Sequence, residues 1–486
     1  MSSSPEKPQS KPSPPDPWQA ETPERAPKPT WRDCLVRLLP LLAVMTFALV
    51  VRGGVLWKME RNLYSDPDGY RFIAENLLSL GEYGSPRSLV YMGAAGDGGE
   101  PSARRPPLYP MLLSKFAVDG EVTRLNVALL HLGLGVATVG LVFVVSQRLH
   151  LGSWGTVAAV LVACDPILLQ QSTLVMTETL AAFLAALALY LLTRTSDDGR
   201  AWNAMLAGGA LGLAVLCRPT FLIWLVACAC AMPVLRGFWT QRLVRTAAIL
   251  LAALVVLSPW AVRNWLAFGS PIITTTHGGY TLALANNPSL YEHLRSGHPL
   301  AEWGVEDLQY ERTWELYAGQ RLDGIWLWET RYIETFGRPP TGDWYERAED
   351  AYCYEVAFRT IRDDPAMFAY SSVLRLGQLW SPLPNPSTHS STLLRYAVAV
   401  WYIGVYALAL VGIVRLRWRI LQTPWVWGVL LALSFTLVHT FYWTNLRMRA
   451  PVMPFVCLLA AVGAGWLWDL LVRRKRLSHS ELETAR

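Results

Sequence analysis

Charge is what this sequence has little of. Only 16% of its 486 residues are Asp, Glu, Lys or Arg, against about 25% in average soluble domains. With 52% of the residues hydrophobic, a soluble globule is excluded, because too little polar surface remains to cover so much apolar chain; lipid is the solvent that fits. Cysteine is sparse too. The seven present have no metal-ligand spacing, and most of them (Cys164, Cys217, Cys228, Cys230 and Cys457) fall in apolar runs, while Cys353 lies in a long polar loop. A disulfide framework is therefore not implied. No His/Asp/Glu spacing forms a metal motif. The net charge of +6 is small, and the basic residues fall in short clusters between apolar runs. That distribution is membrane topology rather than a nucleic-acid face, so nucleic acid is not an expected partner.

Long apolar runs are what the chain does have. Residues 1–30 are rich in Pro, Ser and Lys with almost nothing to bury, and read as a disordered tail. A spanning helix needs roughly 20 mostly apolar residues. The candidates are 36–56, 124–146, 153–172, 174–193, 202–217, 219–235, 246–262, 394–414, 424–443 and 450–471. The expected fold is an all-α polytopic membrane protein of about ten transmembrane helices. Several spans are short, and the third and fourth nearly abut, which also suits a re-entrant pair. The first span follows a long tail without a clear small-residue cleavage site and reads as a retained helix. Arg148, Arg194, Arg200, Arg236, Arg242, Arg245, Arg415, Arg417 and Arg419 share one side with the basic tail 472–486. The positive-inside rule makes that side cytoplasmic, with both termini on it. Two long loops, 57–123 and 263–393, then face outward from a plasma (inner) membrane.

The first outward loop opens with Ser65-Asp66-Pro67. A short polar side chain before Pro is a helix start, with Asp66 as N-cap, Pro67 at N1 and a helix to Leu80. Asp68 is a first-turn acid favoured by the helix dipole. Tyr70, Ile73, Ala74, Leu77 and Leu78 share one face, as in a helix lying in the membrane interface. Asp364-Pro365 opens a second pattern of this kind. The 22 Trp fit aromatic belts, and a few could serve as sugar-stacking platforms. Arg105, Arg218, Arg263, Arg447 and Arg449 all lie at outer span ends. Singly, each suits snorkelling to headgroups; as a converging set they would bind an anion. Glu178 caps the fourth span or orients an acceptor or an arginine. Asp165 before Pro166 suits a helix terminus. Asn286-Asn287-Pro288 has turn composition, and His277 and His439 suit polar positions at the interface.

Seven stretches carry a wider pattern: DPDGYRFIAENLLSLGEYGS from Asp66, RRPPLYPMLL from Arg104, DPILLQQSTLVMTETL from Asp165, GLAVLCRPTFL from Gly212, SPWAVRNWLAFGSPIITTTHGGYTLALANNP from Ser258, FRTIRDDPAMF from Phe358 and LRMRAPVMPF from Leu446. Their order and placement resemble the membrane glycosyltransferases of GT-C architecture, in the bacterial branch similar to protein O-mannosyltransferases and lipid A aminoarabinose transferases. The likeness runs from about Trp31 to Trp468 and makes 31–471 one GT-C-like unit. It implies transfer of a sugar from a polyprenyl-phosphate donor to a glycan, lipid or protein acceptor on the extracytoplasmic face, with inversion. By position Asp66 is the implied general base, with Asp68 as the alternative because the motif reads DPDGY. Glu178 is the further acid of the implied site. The five outer arginines would hold the donor phosphate, with Arg263 and Arg449 the preferred pair. Tyr70, Tyr109, Asn264, Asn286, Asn287 and His439 are the candidate substrate contacts, a purely structural turn being the equal reading of Asn286 and Asn287. No cofactor is expected from the residues, though some relatives use a divalent cation. No soluble domain follows the last span, which leaves acceptor selection to 263–393.

Two other classes compete. A transporter would need polar residues near the bilayer midplane and a repeat relating its halves, and neither is evident. A non-catalytic assembly protein would tolerate Asp66→Asn. Among enzymes, a protein O-mannosyltransferase is the runner-up to a transferase modifying a lipid or polysaccharide. The topology is directly testable: a membrane-impermeant thiol reagent applied to intact cells should label cysteines introduced at Gly98 and Gly342 but not at Asp197. Labelling at Asp197 would reverse the orientation.

Overall fold

The computed structural model describes residues 31–85, 100–198, 200–234, 238–300, 342–385 and 391–484. The expected tail 1–30 and Gly98 lie outside the described residues. Contacts divide the chain into Met1–Pro40 and Leu41–Arg486, and every candidate site residue belongs to the second unit.

The described chain is almost wholly helical. In order come α1 (Trp31–Lys58), a 3-10 turn (Glu60–Tyr64), α2 (Tyr70–Ser79), α3 (Leu108–Lys115), α4 (Arg124–Arg148), α5 (Trp154–Ala163), α6 (Pro166–Gln171), α7 (Glu178–Asp198), α8 (Ala201–Cys217), α9 (Phe221–Ala231), α10 (Trp239–Phe268), α11 (Gly278–Ala285), α12 (Pro288–Arg295), α13 (Gly342–Asp363), α14 (Pro365–Trp380), α15 (Thr392–Leu416), α16 (Val426–Phe441), a 3-10 turn (Leu446–Val452) and α17 (Met453–Thr484). Two-residue strands, β1 (Gly84–Ser85) and β2 (Glu100–Pro101), pair antiparallel.

Among the described residues, six helices are long and apolar enough to cross a membrane, and four shorter apolar helices fall on the remaining expected spans. The chain is a polytopic membrane protein. The third span is broken rather than continuous: α5 stops at Ala163 and α6 restarts at Pro166. Asp165 caps α6, accepting from Leu168 N at 3.0 Å, and takes a second bond from the Tyr402 hydroxyl at 2.9 Å. It is fully buried, and its terminus role is the structural one. Two boundaries move. α10 continues to Phe268, so Arg263 sits on a helix and not in the loop, and α17 runs through the basic tail to Thr484.

Burial ranks the helices. The apolar window of α7 is 72% buried, against 17% for α1 and 22% for α10. α7 is the central post and the other two face lipid along most of their length. Arg148 and Arg194 both stack on the Tyr190 ring, which sets the C-terminal ends of α4 and α7 at the same end of the bundle. Glu178, at the other end of α7, therefore marks the opposite end.

Helices pack closely where side chains vanish, as membrane bundles require. At the α15–α17 crossing a Cβ on Gly463 would overlap Leu408 O, and one on Gly412 would overlap Leu459 O. Gly404, on the same α15, has nothing within 4 Å of its would-be Cβ. Gly463→Leu should therefore lower the thermal midpoint in detergent by the equivalent of about 1–3 kcal/mol, the usual cost of overpacking. Gly404→Leu should leave it in place, and equal effects would refute the crossing.

Candidate active site

The first outward loop begins with a cap, displaced from the expected position. Pro67 and Asp68 form a turn, Gly69 adopts φ 71°, and α2 starts at Tyr70 rather than Pro67. The left-handed region at Gly69 is cheap only for a residue without Cβ. The turn folds the Asp66 carboxylate back over the helix N-terminus. Its Oδ1 accepts from Tyr70 N at 2.9 Å, and Oδ2 from Arg71 N at 2.8 Å and Phe72 N at 3.4 Å. An asparagine cannot reproduce this, since its Nδ2 would meet an N–H. Burial pushes the Asp66 carboxyl above its ordinary 3.8, with the three amides pulling the other way. Asp68 has a different fate: its carboxylate pairs with Arg105 at 2.9 Å, and its carbonyl accepts from Arg105 Nε at 3.0 Å. The pair ties α2 to the segment before α3.

Behind this cap lies a chain of rings. Tyr70 and Tyr109 pack edge to face with centroids 5.3 Å apart. Burial raises both phenols, with Tyr109 feeling Asp66 and Glu178. The Tyr109 hydroxyl meets His131 Nε2 at 2.8 Å, and His131 Nδ1 meets Ser172 O at 2.8 Å. A carbonyl can only accept, so Nδ1 carries the proton and Tyr109 donates to Nε2. His131 is not legible as a site residue in the sequence, for it sits alone in the apolar run of α4. Tyr109 belongs to this scaffold and spends its hydroxyl there.

Glu178, the first residue of α7, is 1% exposed and faces two guanidiniums: Arg218 Nη1 at 3.0 Å and Arg447 Nε at 3.6 Å. These arrive from unrelated parts of the chain. Arg218 caps the end of α8, and Arg447 lies in the 3-10 turn before α17. The outer edges of both rest on sulfur, with Arg218 Nη2 at 2.8 Å from Met448 Sδ and Arg447 Nη1 at 3.7 Å from Met176 Sδ. Among the described residues no other carboxylate pairs with either arginine. Among the described residues, two cations against one anion leave one positive charge in a partly buried setting. Such a charge is costly unless an anion meets it.

The structure gives the preferred arginine pair, Arg263 and Arg449, backbone partners. Arg263 donates to the carbonyls of Ser102 (2.9 Å) and Tyr83 and to Asn264 Oδ1 (2.9 Å), with its guanidinium over the Trp260 ring at 5.1 Å. It pins the β1–β2 pairing to α10. Arg449 is fully buried, donates to Leu379 O (2.8 Å) and Ser381 O (2.6 Å), and lies 4.4 Å from the Tyr402 ring centroid. Arg263 and Nη1 of Arg449 thus fasten backbone, while Nε and Nη2 of Arg449 are buried without a hydrogen-bond partner among the described residues. The asparagines are scaffold as well. Asn264 holds Ile272 O, Asn286 bridges Leu282 O and Phe441 O, and Asn287 caps α12 at Leu290 N. The turn reading of Asn286 and Asn287 is the one the structure carries. His439 donates from Nδ1 to Trp443 O at 3.2 Å, while its buried Nε2 has no hydrogen-bond partner among the described residues. It lies within the electrostatic reach of Arg218.

The sequence-derived candidates thus sort into three groups. Glu178, Arg218 and Arg447 form one ion-paired set, with Tyr70 and His439 within electrostatic reach of Arg218; Asp66 caps the helix that begins at Tyr70, and Asp68 pairs with Arg105; Tyr109, Arg263, Asn264, Asn286, Asn287 and Nη1 of Arg449 are tied into the scaffold. Met176 and Met448 join the first group without being sequence candidates, and the one signal that could have found them is Met448's place between the arginines of Arg447-Met448-Arg449. Among the described residues no group of three or more His, Cys, Asp or Glu could hold a metal ion.

The fold and this end of the bundle define a class, a helical membrane protein with a charged site at the ends of its spans. Residues 104–263 match the family model described as dolichyl-phosphate-mannose-protein mannosyltransferase. No curated protein sequence matches the chain. Two structures of the archaeal oligosaccharyltransferase from Archaeoglobus fulgidus share the fold. One, AglB with an inhibitory peptide and a dolichol-phosphate, aligns at TM-score 0.51 and 14% identity, over 93% of this chain and 52% of that one. The other, tethered to an acceptor peptide, aligns at 0.50 and 14%, over 90% and 50%. The chain thus spans about half the length of those oligosaccharyltransferases. ArnT from Cupriavidus metallidurans, bound to undecaprenyl phosphate, aligns at 0.36 and 15%, over 87% and 77%. The chain resembles the GT-C membrane glycosyltransferases, mannosyltransferases among them.

Proposed function

We propose that this protein is a glycosyltransferase that moves a sugar from a polyprenyl-phosphate donor to an acceptor hydroxyl on the extracytoplasmic face, with inversion. The observation that carries the reading is the Arg218–Glu178–Arg447 set, which shares with the capped Asp66 the electrostatic surroundings of Tyr109. It combines a positively charged anion site with a carboxylate base at the span ends where a lipid-anchored phosphate would lie. The resemblance to the mannosyltransferase family model and the dolichol-phosphate held by the archaeal oligosaccharyltransferase support a lipid-phosphate donor. The family description also favours, as second reading, a protein hydroxyl as the acceptor.

The chemistry is a single displacement. The acceptor O–H gives its proton to Asp66 as its oxygen attacks the anomeric carbon, and the bond from that carbon to the phosphate oxygen breaks. The leaving polyprenyl phosphate gains negative charge, which Arg218 and Arg447 offset in a site with little competing water. Arginine suits the task because it forms forked bonds to phosphate and does not titrate. Asp66 keeps acceptor capacity on its oxygens despite three amide bonds, since an ionised carboxylate offers about four lone-pair sites.

Asp66→Asn should cut turnover by at least about 10²-fold at matched expression, and Asp68→Asn by much less. Loss of part of the cap adds about 1 kcal/mol of destabilisation, to be measured separately as a melting shift. Only ionised Asp66 can accept a proton and its carboxyl titrates above 3.8, so wild-type turnover should fall on the acid side through a midpoint above that value. Normal turnover of the Asn variant would remove Asp66 from the chemistry.

Arg218→Ala and Arg447→Ala should each raise the donor KM more than the acceptor KM, with poor rescue by Lys. Arg263→Ala and Arg449→Ala should instead lower the melting temperature. A donor defect confined to the latter pair would transfer the phosphate role to them.

A further inference from the structure

The acceptors chosen by the buried and half-buried arginines divide them into two kinds. Arg52 donates to Val162 O, Arg105 to Asp68 O, Arg263 to Ser102 O, Arg375 to Ala285 O and Thr440 O, and Arg449 to Leu379 O. These are strong oxygen acceptors on fixed backbone. Arg218 and Arg447 donate to methionine sulfur instead, at 2.8 and 3.7 Å. The inner edges of both are held by one shared carboxylate, Glu178.

We propose that Met448 and Met176 are positioning residues of an anion clamp: their thioethers hold the outer N–H edges of Arg218 and Arg447 until phosphate oxygens of a lipid-linked donor replace them. This role deepens the lipid-phosphate donor reading and rests on it. A thioether is a weak acceptor, so little is lost when an N–H leaves it. A phosphate oxygen forms a charge-assisted bond roughly twice as strong as a neutral one. The exchange is therefore downhill, whereas release from a carbonyl would leave a buried oxygen unsatisfied at a real cost. Methionine also supplies apolar bulk that keeps water off the guanidiniums, and its flexible chain can withdraw once the ligand arrives. Glu178 keeps the two cations from separating while the outer edges change partners. The placement of the sulfurs in the chain agrees with this. Met448 adjoins Arg447 directly and contacts Arg218, while Met176 lies two residues before Glu178 and contacts Arg447, so each sulfur serves an arginine from another segment.

The test uses the full chain in lipid nanodiscs, with binding of undecaprenyl phosphate and of undecaprenol measured directly. Wild type should prefer the phosphate. Met448→Gln, which offers Arg218 an amide oxygen, should weaken phosphate binding by about 10-fold, while Met448→Leu, which keeps bulk without an acceptor, should match wild type within about threefold. Met176→Gln and Met176→Leu repeat the comparison at Arg447, so a folding defect at one position leaves the other decisive; undecaprenol binding should be unchanged in all four. Gln variants with wild-type affinity, or Leu variants as weak as Gln, would overturn the role of the sulfurs while leaving the phosphate site standing. A wild type that binds the alcohol as well as the phosphate would overturn the clamp itself, and with it the donor reading.

Discussion

Glu178 holds two arginines at the head of α7, the most buried of the six long apolar helices, and the rest of the candidate site is read around that fact. A carboxylate that is 1% exposed needs cations and a favourable dipole. It gets both, from Arg218 and Arg447 and from the N-terminus of α7. Because α7 is the central post, whatever gathers at its first residue is held by much of the bundle. The ion pairs join the end of α8 to the turn before α17. Among the described residues they leave one positive charge without a carboxylate, which is the basis of the proposed anion site.

The other arginines show by contrast what a fastener looks like. Arg263 and Arg375 each draw backbone carbonyls from separate segments onto one guanidinium, and Arg449 holds two carbonyls at the end of α14. In an apolar setting that is an efficient way to satisfy carbonyls at helix ends and loops, since arginine brings five donors in a planar fork. The loop segments that hold Asp66 and the β1–β2 pairing are positioned by such contacts, together with Asp68–Arg105 and the Tyr70–Tyr109–His131 chain. Asp66 itself is oriented by its own helix, through amides that lie four to six residues ahead in sequence.

Much of this is legible in the chain. Apolar length marks where the helices run, because a helix satisfies its own backbone in lipid and needs about 20 residues to cross it. Asp66 and Asp364 announce their caps through the following proline, although Gly69 moves the first helix start by three residues. Arg148, Arg194 and Arg200 mark one end by their spacing along the chain, and the ring shared by the first two agrees with it. The residue set of the site, Asp66, Glu178, Arg218 and Arg447 included, follows from motif order.

What the sequence determined alone is local: helical runs, caps, the polarity of the ends and the set of charged residues near them. Which arginine meets a carboxylate and which meets the backbone was decided only in three dimensions. Arg447 and Arg449 are two residues apart in one short turn, yet one reaches Glu178 and the other is fully buried against Leu379 O and Ser381 O. Nothing in composition or spacing separates them. The difference is which acceptors the neighbouring helices bring within hydrogen-bond distance, and that is a property of packing between segments far apart in the chain.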